Sequence, residues 1–177
     1  MNEDFSDILR QARQQMKVNV STSITLAKAV QGGAQTMRIR IHGESNDVVL
    51  QIPPGLVNGE SIKYPKLVGG IDVIVRFMVQ PNPDWRVSDL NLIKQQEISI
   101  WTLIAGGSVN VSTIDGTVLR LKVPAKTQPG TKLRVTGKGI VSRNSATVVG
   151  DMLVELNPTI PDDIPQPLFD MIQELSS

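Results

Sequence analysis

The chain has 177 residues, of which 40% are apolar and 20% charged, a globular composition with room for one ordinary domain or two small ones. It contains no cysteine and one histidine, His42, which excludes disulfides, thiolate chemistry and cysteine-ligated zinc and argues against a histidine-based metal site or catalytic triad. The 18 lysines and arginines nearly balance 17 acidic residues, for a net charge of +1, so nucleic-acid binding is not expected.

Residues 1–17 are predicted to form a helical extension. Apolar residues recur in it at helical spacing and share one face: Phe5, Ile8, Leu9 and Ala12. The opening carries acidic residues and no apolar stretch, unlike a secretory signal peptide. No apolar run in the sequence approaches the roughly 18 residues that a membrane-spanning helix needs. We therefore expect a cytoplasmic protein without membrane contact.

The body of the chain is predicted to be β-structure. Five runs alternate between apolar and polar residues or are rich in β-branched ones, which is typical of half-buried strands: 37–41, 48–52, 73–79, 108–114 and 118–123. Asp115-Gly116 separates the last two runs and is a signal for a two-residue hairpin, and His42-Gly43 predicts another turn. A helical pattern returns only at residues 166–177. The prediction is an all-β fold with short helices at both ends.

The sequence also repeats itself. Ile52-Pro53-Pro54 followed by Gly59 matches Val123-Pro124-Ala125 followed by Gly130, an offset of 71 residues. Upstream, ITLAKAVQGG (24–33) matches ISIWTLIAGG (98–107) at an offset of 74. Each half therefore reads as a strand, a small-residue turn ending in Gly-Gly, a hairpin and an apolar-Pro segment. The repeat predicts two small, sandwich-like domains, 18–92 and 93–165, joined in the polar stretch 88–97.

These motifs resemble, in their order, the C-terminal client-binding domains of the DnaJ co-chaperone family. The first half carries the resemblance in ITLAKAVQGG, MRIRI, IPPGLVNGESIKYP and NPDWRVSDLNL, and the second in its Asp-Gly hairpin, VPAKTQPGTKLRVTGKGI and GDMLVEL. It extends from about residue 17 to the C-terminus. Three parts of the family have no counterpart in the sequence: the J-domain, since Gly43 follows His42 where that domain has His-Pro-Asp, the Gly/Phe linker, and the cysteine-rich zinc module.

The resemblance implies a peptide-binding site in the first domain. The family adds an extended client segment to a sheet edge and places one large side chain in a shallow apolar pocket. The pocket positions in this sequence are Val20, Thr22, Met37, Ile39 and Trp85. Thr22 stands where the family has an aliphatic residue, which would make the pocket smaller or more polar. From the residues alone, Val20, Met37 and Ile39 equally suit a buried core, and Trp85 equally suits packing at the domain join.

The resemblance further implies dimerisation through the C-terminal helix 166–177. One face of that helix is apolar and could pair with a second copy or cover the second domain: Leu168, Phe169, Ile172 and Leu175. A DnaK-type protein or a separately encoded J-domain would be a further partner.

Two functional hypotheses follow. The first is a J-domain-less chaperone module that holds exposed apolar segments of unfolded clients by β-strand addition, without ATP. The second is a structural or assembly protein with permanent partners, for example a virion component, in which case a viral chain would lie in the host cytoplasm or the virion. No nucleophile is paired with a base and no metal-ligand pattern is present in the sequence, so we expect no enzyme and no cofactor.

Overall fold

The structure, a computed structural model, describes residues 17–41 and 43–176. The helix predicted for residues 1–17 lies outside the described residues, apart from Lys17, and so does the predicted turn residue His42. The described chain divides into two compact units. Unit 1 contains the described residues up to Pro83 together with Gly139–Gly150, and unit 2 contains Asp84–Lys138 together with the residues from Asp151 onward.

The described residues are mostly in strands. In chain order the elements are β1 (Lys17–Ile24), α1 (Leu26–Gln31), β2 (Gly33–Ile41), β3 (Glu44–Ile52), β4 (Ser61–Val68), β5 (Ile71–Val79), β6 (Trp85–Ser88), β7 (Asn91–Ser99), α2 (Ile100–Ala105), β8 (Gly107–Ser112), β9 (Val118–Val123), β10 (Lys132–Val135), β11 (Val141–Ser142), β12 (Ser145–Val149), β13 (Met152–Thr159) and α3 (Gln166–Ser176). The all-β prediction is therefore confirmed, with a helix at the C-terminal end as expected.

The part of unit 1 up to Pro83 contains a three-stranded sheet and a hairpin. The sheet has the order β1-β5-β4, with β1 parallel and β4 antiparallel to β5, and β2 and β3 form the hairpin. Because every second residue of these strands is apolar, one face of each sheet is buried. The buried side chains form one cluster, which includes Ile24, Ile39, Ile41, Val48, Leu50, Ile52, Val73, Val75 and Phe77.

Unit 2 repeats this topology with one strand added. β13 is parallel to β7 and antiparallel to β10, just as β5 is parallel to β1 and antiparallel to β4 in unit 1. β8 and β9 form the hairpin, as β2 and β3 do in unit 1. The extra strand is β6, which pairs with one edge of β7. The corresponding edge of β1, the strand equivalent to β7, has no sheet neighbour among the described residues. Residue 92, where the sequence predicts the first domain to end, lies inside β7.

The hairpin of β11 and β12 is inserted between β10 and β13, yet its contacts place it in unit 1. Arg143 Nη2 lies 2.6 Å from Glu60 Oε1, joining residues 83 positions apart. Gly55 approaches the carbonyl oxygen of Val141 so closely that no side chain would fit there. Unit 1 is therefore built from two separate stretches of sequence.

Two features of the turns differ from the sequence prediction. The Gly-Gly turns of both repeats contain six-residue helices, α1 and α2, and the hydroxyl of Thr25 caps α1 by accepting a hydrogen bond of 3.2 Å from the Lys28 amide. Six residues are fewer than two helical turns, too few to show a helical period. The connection between β8 and β9 spans residues 113–117, since Ser112 pairs with Val118. Within it, Asp115 accepts a hydrogen bond of 2.9 Å from the Thr117 amide.

Asp151, immediately before β13, braces the end of unit 2's sheet. Its Oδ1 accepts a hydrogen bond from the Gly137 amide (2.9 Å), and its Oδ2 accepts one from Arg134 Nε (2.6 Å). Its own amide donates to Asn91 Oδ1 at 2.9 Å. The hydrogen bond from Gly137, followed by the Arg134 guanidinium, lowers the pKa of the Asp151 carboxyl.

Replacing Asp151 with asparagine is expected to make the free energy of unfolding depend less on pH in the acid range. A carboxyl whose folded pKa lies below its unfolded value of about 3.9 stabilises the fold above that value and stops doing so as the pH falls through the lowered pKa. The stability difference between wild type and Asp151→Asn should therefore shrink on acidification. Urea midpoints between about pH 2 and pH 6 measure this, with the exposed Asp163→Asn as the matched variant. A constant difference across that range would contradict the prediction.

Candidate functional site

A groove of about 310 Å³ opens between β1 and β2 in unit 1. It brings together four of the five residues that the sequence predicts for peptide binding: Val20, Thr22, Met37 and Ile39. Five further residues line it: Ser21, Arg38, Arg40, Leu50 and Val75. Contributions from four strands mean that the groove exists only when both sheets of unit 1 are in place.

The groove has an apolar floor and a partly accessible wall. Ile39, with 6% of its surface exposed, forms the floor with the fully buried Leu50 and Val75. Val20, Thr22 and Met37 are half-buried and form the walls. The alternation of a strand explains the arrangement, because inward residues of β1 and β2 reach the groove while their neighbours stay at the rim. Ile39 thus serves the core as well as the groove.

Both strands that carry the walls lie at sheet edges. β1 pairs only with β5, and β2 pairs only with β3, within the part of the chain that the structure describes. Each therefore has a row of backbone N–H and C=O groups on its other side that no sheet neighbour satisfies. Such an edge can accept another extended chain through main-chain hydrogen bonds.

The rim of the groove carries an ordered ion pair. Arg38 lies opposite Asp47 on β3, and the two form a two-pronged pair, with Nε–Oδ1 at 2.7 Å and Nη2–Oδ2 at 3.1 Å. The hydrogen bond from Arg38 lowers the pKa of Asp47. Since both side chains are exposed, the pair contributes to the position of Arg38 more than to stability.

Trp85, the fifth predicted residue, is not part of this lining. It lies in β6 of unit 2, opposite Lys94 of β7, and only 9% of its surface is exposed. The Lys94 ammonium lies 5.1 Å from the centre of its ring and donates to the carbonyl oxygen of Ser112 on β8 at 2.9 Å. The structure therefore places Trp85 in the interior of unit 2.

Leu50 and Val75 are not among the site residues that the sequence predicts. Both belong to runs that were predicted as strands, so their inward direction follows from the alternation. What the sequence does not contain is the parallel register that sets Val20 beside Val75. A pairing between strands so far apart in the chain has no local signal.

The C-terminal helix α3 has an exposed apolar face. None of its residues is buried, and of the four predicted dimer residues Leu168 is half-buried while Phe169, Ile172 and Leu175 are exposed. Dimerisation through this face stays a prediction. Among residues 17–41 and 43–176, no helix is long and apolar enough to cross a membrane, and no three acidic or histidine side chains are grouped to hold a metal ion.

Comparison with known proteins identifies the family. Residues 18–161 match the profile described as DnaJ C terminal domain. The chain is similar to Chaperone protein DnaJ of Thermosynechococcus vestitus, at 29% identity over 91% of this chain and 38% of the relative. It is likewise similar to Chaperone protein DnaJ of Rickettsia bellii (32%, covering 77% and 38%) and of Porphyromonas gingivalis (36%, covering 75% and 30%). It thus spans less than two fifths of the length of these relatives. The resemblance found in the sequence is confirmed: the chain belongs to the DnaJ C-terminal domain family.

Proposed function

We propose that the chain is a chaperone module that holds extended apolar segments of unfolded polypeptides in the groove between β1 and β2. The observation that supports this most directly is an apolar floor lying beside two strand edges. The family membership agrees with it, because the relatives reported above are named as chaperones. Neither the comparisons nor the described residues support the alternative of a structural assembly protein.

The physics of the groove favours weak, promiscuous binding. Main-chain hydrogen bonds to an edge strand accept almost any sequence, and the groove adds a preference for one apolar side chain. Burial of such a side chain contributes roughly 1.5–3 kcal/mol, so dissociation constants on the order of micromolar are expected. Each step is an equilibrium binding step, and holding a client in this way requires no ATP.

The remaining expectations belong to the same proposal. Clients are unfolded or partly folded chains, a second copy can bind through α3, and a J-domain or DnaK-type protein would act as a separate partner. We propose a cytoplasmic location and no catalytic activity. The predicted domain boundaries, with the first domain at 18–92 and the second at 93–165, are replaced in this proposal by the two units, because β7 spans the predicted join.

Replacing Met37 with glutamate is expected to weaken client holding strongly without unfolding the protein. Met37 is a half-buried wall residue. A glutamate carboxylate at this position can therefore reach solvent in the free protein, but a bound apolar side chain would cover it. Affinity for an apolar client should fall about tenfold or more. The measurement is suppression of aggregation of a chemically denatured test protein at increasing chaperone concentration, after circular dichroism has shown the native spectrum.

Val49→Glu is the matched control for this experiment. Val49 is 57% exposed, lies on β3 and does not line the groove, so it introduces the same charge elsewhere on unit 1. Wild type and Val49→Glu should protect the test protein equally. If Met37→Glu protects as well as they do, the groove is not the holding site. If wild type gives no protection, the chaperone function itself is refuted.

A further inference from the structure

Two residues with a hydroxyl line the groove: Ser21, which is exposed at the rim, and Thr22, which lies in the wall. Thr22 is half-buried and lines the groove beside Val20, and in the register of the sheet it lies opposite Phe77. Its hydroxyl forms no hydrogen bond with the residues that the structure describes, and the groove is open, so water is its available partner in the free protein. A bound side chain that covers Thr22 would keep water away from its hydroxyl.

The chemistry of the covering side chain then decides the affinity. A hydroxyl that loses its water without a replacement is penalised, whereas one that gains a hydrogen bond to the ligand is not. A purely apolar anchor such as leucine or phenylalanine cannot replace the water. A tyrosine hydroxyl can both donate and accept, and an indole N–H can donate.

Unit 2 supplies an independent observation. A strand added to the free edge of β1 would lie where β6 lies against β7 in unit 2. Trp85 of β6 lies opposite Lys94 of β7. Lys94 is equivalent to Val20 of β1, because the two positions are 74 residues apart, which is the offset of the repeat. The Trp85 indole is buried there, beneath an ammonium that also binds a β8 carbonyl. In unit 2 the position that an added strand would take beside β1 is therefore occupied by the chain's own β6, and its aromatic side chain, Trp85, lies next to a charged group, the Lys94 ammonium.

We propose that the groove of unit 1 selects client segments whose anchoring side chain is an aromatic ring carrying a hydrogen-bonding group, tyrosine above all, and that the Thr22 hydroxyl determines this selectivity. The proposal rests on the function proposed above and specifies its ligand. Thr22 acts by bonding the polar tip of the ring, while Val20, Met37 and the floor enclose its apolar body.

The test compares two fluorescent peptides that differ only in one hydroxyl group. Both are short, extended apolar segments, with tyrosine at the central position in one and phenylalanine in the other. Wild type should bind the tyrosine peptide about three- to tenfold more tightly, the ratio expected for one hydrogen bond. Thr22→Val, which keeps the shape and removes the hydroxyl, should lose this preference and bind the phenylalanine peptide more tightly than wild type does. Fluorescence anisotropy gives the four dissociation constants.

Three further variants make the result decisive. Thr22→Ser retains a hydroxyl and should retain the preference for tyrosine, and Thr36→Val, an exposed change on β2 outside the groove, should behave as wild type. Met37→Glu should bind neither peptide tightly, which locates binding in the groove. An equal preference in wild type and Thr22→Val, or no preference in wild type, overturns the inference while leaving the proposed function intact. Failure of wild type to bind either peptide overturns the proposed function, and the inference with it.

Discussion

Replacing Ile39 with aspartate is expected to unfold unit 1, not merely to alter its groove. Ile39 is buried in the same cluster as Leu50 and Val75, and a carboxylate there would have no cationic partner inside the cluster. A buried, unpaired charge costs more than about 4 kcal/mol, a large part of the roughly 5–15 kcal/mol by which a domain is stable. Urea unfolding followed by circular dichroism should show loss of most of the cooperative transition that belongs to unit 1.

Ile39→Val is the control for this prediction. It removes one methylene from the same site and should cost about 0.5–1.5 kcal/mol. If Ile39→Asp unfolds with a midpoint close to that of Ile39→Val, the residue is a groove residue with access to water and not a core residue. The expected result means that loss of client binding in Ile39→Asp would report unfolding, so the half-buried Met37 is the better position for testing the groove.

Replacing Gly32 with alanine is expected to destabilise unit 1 by about 3 kcal/mol or more, since two costs add at this position. Gly32 ends α1 with φ at +70°, and a Cβ would lie 2.6 Å from both the Ile52 carbonyl oxygen and the Pro54 nitrogen. A backbone with φ at +70° and ψ at −151° is essentially restricted to glycine, and it costs about 1–3 kcal/mol for a residue with a side chain. The contact is with backbone atoms, which cannot move aside without disturbing the end of β3.

Two other glycines separate these costs. Gly106 is the equivalent residue of the second repeat, with φ at +82° and a Cβ position 2.9 Å from the Ala125 nitrogen. Gly69 has φ at +54° and open space around it, so its replacement introduces backbone strain only. Urea unfolding should rank the losses as Gly32→Ala, then Gly106→Ala, then Gly69→Ala. A loss at Gly69 as large as that at Gly32 would show that the close approach contributes nothing.

The glycine contacts also explain why the repeat is visible in the sequence. In both repeats the first glycine of the Gly-Gly pair packs on the apolar-Pro segment that follows the hairpin. The two motifs therefore have to occur together, and their spacing is fixed by the hairpin between them. This coupling, with the period-two burial of the strands, made the fold class and the family predictable from the residues.

The parts that could not be predicted have physical reasons. β7 was interpreted as a polar join because four consecutive residues, 94–97, are charged or amides. Its strand character depends on Leu92 and Ile98, which are buried, and on neighbours on both sides, β13 and β6, that the local sequence does not reveal. The wall of the groove followed from the resemblance. The floor and the interior position of Trp85 required the pairing of distant strands.

The inserted hairpin of β11 and β12 makes the order of synthesis matter. A ribosome delivers residues 17–83 long before Gly139–Gly150, yet both stretches belong to unit 1, and the pair of Glu60 with Arg143 closes only when the later stretch has emerged. N-terminal domains commonly fold first during translation, but unit 1 is complete only after this later stretch has emerged. A fragment that ends at residue 92 would contain the complete first sequence repeat but would lack the β11–β12 hairpin of unit 1. The boundaries of the sequence repeat and those of the structural unit are therefore different.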